Sequence, residues 1–214
     1  FKKQYEPKLN FKKEENLSFF KFFKKEENLS FRRFTIFRSL VSFSVAIASS
    51  LVAIYLLRVL SFSYLSYILV IFSASGFSLL FLNFWGHIGD RFGNSRVLVL
   101  SSIFIPTVPL FWILSQNPVY LILVPGFIEG FSWSGFNLST SNFIYDAVKK
   151  ELRGIAVSYF NLSVGFGIFF GGLVGAALIG FLKIDLLWLI IGIFSLSAFL
   201  RMIVIFYFTP LIIG

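Results

Sequence analysis

The 214-residue chain is 57% hydrophobic and only 14% charged, with a mean hydropathy of +0.84; ordinary soluble domains carry roughly 25% charged residues, so that class is excluded. Zero cysteines and a single histidine, His87, exclude disulfides, thiol catalysis, cysteine-ligated metals and a histidine-rich metal site, and no cofactor is expected. The net charge of +9 does not point to nucleic acid, because eleven of the nineteen basic residues lie within residues 1–38, interleaved with Glu6, Glu14, Glu15, Glu26 and Glu27, a pattern that suits the surface of an anionic lipid bilayer.

Residues 1–35 read as a cytoplasmic basic linker. The segment starts at Phe1 and shows no signal peptide, so the expectation is a fragment that lacks an upstream part. A direct repeat, FKKEENLSF, occupies residues 11–19 and again 23–31. A twelve-residue offset turns a helix through roughly 1200°, leaving the copies about 120° apart. Short helical pieces touching the membrane surface fit this better than one amphipathic anchor.

Six apolar runs follow, at about 36–57, 64–85, 97–114, 118–144, 155–181 and 186–208, each near or above the ~20 residues that span hydrocarbon. The predicted fold class is therefore all-α, a polytopic six-helix membrane bundle over residues 36–208, with 209–214 as a C-terminal tail. Alternating the connections puts the linker, residues 86–96 and residues 146–154 on one side with sixteen basic residues, against Arg58 and Lys183 on the other. That asymmetry predicts a cytoplasmic location for the first side and for both termini, in the cell membrane.

The second connection, residues 86–96, is predicted as a charged turn. Gly86, Gly89 and Gly93 permit a tight backbone and close approach of two helix ends. Asp90 can cap amides or pair with an arginine, and Arg91 and Arg96 can reach headgroups or a carboxylate. In the third run Pro106 and Pro109, and in the fourth Pro125, should bend or loosen their helices.

The fourth run holds Glu129 about eleven residues inside, roughly 16 Å deep at ~1.5 Å per residue. A carboxylate at that depth faces a cavity or a partner. Trp133 and Asn137 follow at steps of four and share its face, whereas Asn142 lies off it. These residues, with Asn161 one turn ahead of the glycines of the fifth run, are candidates for a solute cavity; the alternative for Glu129 is an interhelical hydrogen bond. In the fifth run Gly167, Gly171, Gly172 and Gly175 are predicted to permit close helix crossing. Arg201 either snorkels to the interface or pairs with an acid inside the bundle.

Gly86-x-x-x-Asp90-Arg91-x-Gly93, followed by Arg96, resembles the loop signature of the major facilitator superfamily (MFS), which lies between the second and third helices of each six-helix half. Asn94 and Ser95 stand where that family usually has basic residues, a departure typical of the copy in the second half. The segment Gly130 to Leu138, the connector Lys149 to Gly154 and the glycine-rich fifth run are also similar to that family, although Gly126 stands where the first-half motif has arginine and Gly172 where the fifth-helix motif has proline. The resemblance implies transport of a small solute by the C-terminal half of a secondary transporter. Its partners would then be the bilayer and a missing N-terminal half or a second copy. Within it, Asp90, Arg91 and the glycines of the loop would form a cytoplasmic gate. A non-transporting sensor or assembly subunit, acting as a homodimer, is the competing reading. An enzyme is not expected: the serines of Gly130-Phe131-Ser132-Trp133-Ser134 are deep, and His87 is at the surface, too far for a nucleophile–base pair.

Overall fold

The computed structural model describes residues 18–181 and 185–213; the first repeat copy, apart from Ser18 and Phe19, lies outside this range, as does Lys183. The described chain is all-helical. A short helix α1 (Phe19–Lys24) and a 3-10 turn at Glu26–Asn28 lead into α2 (Leu29–Ser49), which starts upstream of the predicted residue 36. The second repeat copy thus forms a bend: Phe22 and Phe31 are buried edge to face at 5.7 Å, and Asn28 Nδ2 donates to the Phe22 carbonyl at 2.9 Å. After a break at Ser50–Leu51 the span continues through α3 (Val52–Ile54) and a π-helical turn, Tyr55–Val59.

The second crossing is α4 (Tyr64–Phe92), capped by Ser63 Oγ accepting from Ser66 N–H at 3.2 Å. The predicted turn at 86–96 is a correction: α4 stays helical through Phe92, and the reversal is made by Gly93 alone, at φ 88° and ψ 154°. Only glycine adopts that region without strain, whereas Gly86 and Gly89 are ordinary helical residues. Gly93→Ala should therefore cost about 1–3 kcal/mol, while Gly86→Ala, which meets nothing within 4 Å, should be neutral; unfolding in mixed micelles measures both.

The third run, 97–114, is not one helix. It divides into α5 (Asn94–Ser102) and α6 (Val108–Ile113) around a turn, because Pro106 and Pro109 cannot donate to the carbonyls of Ser102 and Ile105. Ile105 N–H bonds Ser102 instead, at 3.1 Å. By length and apolarity five segments qualify as membrane spans, and this broken pair supplies the sixth crossing. Next comes α7 (Pro118–Ala147), with Pro118 in its first turn and Asn117 Oδ1 accepting from Val119 N–H at 2.8 Å; Pro125 is accommodated inside it. A 3-10 turn at Lys150–Leu152 precedes α8 (Arg153–Phe181), and Asp185 Oδ1 caps α9 (Leu186–Ile213) through Leu187 N–H at 3.0 Å.

The helices pair mainly as α4 with α7 and α2 with α8, with α9 against α2 and α6, and α5 against α7. Gly167, Gly171 and Gly175 of α8 lie directly on the backbone carbonyls of Ser39, Phe43 and Ile47 of α2, so both partners advance in steps of four. Gly172 is the exception: nothing lies within 4 Å of its Cβ position, so it is not a packing glycine. On α7, Gly130 leaves only 2.6 Å between its Cβ position and the Ala74 carbonyl, and Gly135 only 2.7 Å to the Trp85 ring. Trp85 Nε1 donates to the Phe131 carbonyl at 2.8 Å. One aromatic core gathers around Phe34, Phe37, Phe136 and Phe160, and a second around Ile47, Tyr55, Trp112 and Phe194. The membrane-spanning windows of α4 and α8 bury only 6% and 11% of their residues, against 44–50% for the spans of α2, α7 and α9, so α4 and α8 present most of their surface outward.

Candidate functional site

The site is built on α7. Glu129, Trp133 and Asn137, at steps of four, line one open cleft of about 600 Å³ between α7, α4 and α2. Its other walls include Ile71, Ser75, Ser78 and Leu79 of α4 and Arg38 of α2. Close α4–α7 contact at Gly130 sets the floor. Asn161, the fourth predicted cavity residue, is exposed on α8 and does not join this cleft.

Arg38, counted above with the basic residues of the N-terminal segment, lies inside the first membrane-spanning helix. Its guanidinium lies 5.3 Å from the Trp133 ring and 5.1 Å from Phe136. Nη1 donates to Ser42 Oγ at 2.8 Å and Nη2 to Asn137 Oδ1 at 3.5 Å. A sequence signal existed: Arg38 is six residues beyond Arg32, about 9 Å deeper along a helix.

Glu129 also lines a second, smaller cavity of about 50 Å³ with Val108, Pro109, Trp112, Phe194 and Arg201, large enough for water. Trp112 lines this cavity beside the Glu129 carboxylate, and the charge of Arg201 attracts that carboxylate across it. Arg201 is 5% exposed, so it does not snorkel; it is buried inside the bundle, in a cavity it shares with Glu129. Its Nη1 donates to the Ile105 carbonyl at 3.3 Å. That is the oxygen which Pro109 leaves without an amide donor, so the arginine repairs the backbone where the third crossing breaks. Glu129 thus borders both the open polar cleft and the small cavity that holds Arg201.

At the Gly93 end, Arg91 and Arg96 both lie over Phe92, at 5.1 and 5.8 Å. Asp90 is exposed, and among the described residues it makes neither a hydrogen bond nor an ion pair. Asn94, which replaces a basic residue of the loop pattern, instead accepts from Asn142 Nδ2 at 3.0 Å and ties α5 to α7. Among the described residues no three of His, Asp or Glu converge as a metal ligand set.

No curated protein matches this chain. The family model described as Major Facilitator Superfamily matches residues 34–211, nearly the whole helical bundle. With five helices long and apolar enough to cross a membrane among the described residues, a broken α5–α6 pair between them and glycine-packed helix contacts, this multi-pass membrane protein belongs to the major facilitator superfamily.

Proposed function

We propose that this bundle forms one wall of the path of a secondary transporter for a small solute, and that a second six-helix half supplies the facing wall. The observation that carries the reading is the cleft of about 600 Å³ in which Arg38, Glu129, Trp133 and Asn137 meet inside otherwise apolar helices. Polar groups at membrane depth are costly unless they face water, a partner or a solute. The outward surfaces of α4 and α8 leave room for a facing half, and the loop pattern Gly86-x-x-x-Asp90-Arg91-x-Gly93, with its weaker basic end, supports assignment to the C-terminal half. Arg32, Arg33, Arg91, Arg96, Lys149, Lys150 and Arg153 share one end of the bundle, which supports placing that end in the cytoplasm of a cell-membrane protein.

The cysteine-free sequence makes the path directly testable. Asn137→Cys and Ser78→Cys should react with a membrane-impermeant thiol reagent at least about tenfold faster than Leu80→Cys, because thiols react where water reaches them and not in lipid. Leu80 is 71% exposed on an apolar part of α4. Equal, slow labelling at all three positions would remove the aqueous path.

A further inference from the structure

The cleft contains a charge that no carboxylate among the described residues is seen to balance. Arg201, the other guanidinium at depth, has Glu129. Among the described residues no carboxylate acts on Arg38, whose Nε is buried without an acceptor. Ser42, Asn137 and the two ring faces hold the Arg38 head in place, but neutral oxygens and ring quadrupoles do not cancel a full charge. Glu129 lines the same cleft but also shares the smaller cavity with Arg201, whose charge attracts it.

We propose that the cleft takes a small organic anion, whose carboxylate or phosphate group pairs with the Arg38 guanidinium. This rests on the reading of the cleft as a solute path and adds the charge of the solute. A planar guanidinium presents several donors to a carboxylate or phosphate and binds it by short, charge-assisted hydrogen bonds. Ser75 and Ser78, on the opposite wall, add hydroxyl donors, and Trp133 with Ile71 offers apolar surface to the body of the molecule. A cleft of about 600 Å³ falls within the roughly 300–1,000 Å³ of small-molecule sites.

The experiment uses the full chain in nanodiscs, with calorimetric titration of benzoate, phenyl phosphate, benzamide and benzylamine. At least one of the two anions should bind saturably, and about tenfold or more tighter than the neutral amide or the amine; comparing benzoate with phenyl phosphate separates carboxylate from phosphate recognition. Arg38→Gln should weaken anion binding by about tenfold or more, with Arg38→Lys in between. Thermal melting separates recognition from a structural role: without ligand, Arg38→Met should melt at or above the parent, because it removes a half-buried charge with no carboxylate partner, and it should no longer be stabilised by the anion. Preference for the amide or amine, no binding of either anion, anion affinity retained in Arg38→Gln, or a ligand-free Arg38→Met that melts well below the parent would each overturn the anion site. Proteoliposome uptake keeps the two readings apart. Arg38-dependent binding without uptake sinks transport and leaves the anion site, whereas uptake of a neutral or cationic solute that survives Arg38→Gln sinks the anion site and leaves transport.

Discussion

Replacing Glu129 with leucine should destabilise the bundle by about 3–5 kcal/mol, because it strands Arg201 as an unpaired buried charge. Arg201 is 5% exposed and its counter-charge is Glu129; its remaining contact, the Ile105 carbonyl at 3.3 Å, is neutral. The double variant Glu129→Leu/Arg201→Leu should recover most of the loss, since removing both charges also removes both desolvation costs. Recovery should stop short of the parent, because the Ile105 carbonyl beside Pro109 loses its donor, a cost of about 1–3 kcal/mol. Unfolding of the four proteins by detergent titration, analysed as a double-mutant cycle, measures the coupling. Additive losses would show that the two charges do not stabilise each other. The same cycle bears on the cleft: Glu129 faces both Arg201 and the open space, so its role in holding the helices must be known before any loss of transport in a Glu129 variant is assigned to the solute.

Gly171→Leu should separate α2 from α8 and lower stability by about 3 kcal/mol, at the upper end of overpacking costs. A Cβ there would strike the Phe43 carbonyl and come within 2.9 Å of the Ala46 Cβ. Neither contact can give way like the tip of a flexible side chain, so the helices themselves must move. Gly172→Leu is the internal control. It changes the adjacent residue by the same atoms, but its Cβ position has open space around it, and the expected change stays within about 0.5 kcal/mol. Equal effects at both positions would overturn the assignment of the α2–α8 contact to the Gly167, Gly171 and Gly175 register.

Much of the architecture is legible from composition and spacing. Apolar runs of about twenty residues are set by bilayer thickness, a one-dimensional constraint, so the crossings at 64–85, 118–144, 155–181 and 186–208 are close to α4, α7, α8 and α9. The step of four that places Glu129, Trp133 and Asn137 on one face of α7 is likewise a property of a single helix. The four-residue glycine steps of α8 carry the same kind of information, but they do not show which glycine meets a neighbour, and Gly172 has the residue type without the contact.

The turn at residues 86–96 shows where local reasoning stops. Three glycines and three charged residues suggest an irregular loop, yet helix propensity and continued i→i−4 bonding carry α4 to Phe92, leaving the reversal to Gly93. The third crossing shows the opposite case: two prolines announce a weakened helix, but their spacing does not reveal that an arginine almost one hundred residues away, Arg201, would supply the missing donor.

By itself, then, the sequence determined a six-crossing membrane bundle, its polar stripe on α7 and its family-like loop, because these follow from length, periodicity and order along one chain. Only the tertiary structure decided that Glu129 lies by Arg201 and that Arg38 in the cleft has Ser42 and Asn137, but no carboxylate among the described residues, at its guanidinium. Charge compensation depends on which helices lie side by side, and α7 meets α2 through contacts between residues far apart in sequence, while Glu129 of α7 and Arg201 of α9 share one cavity.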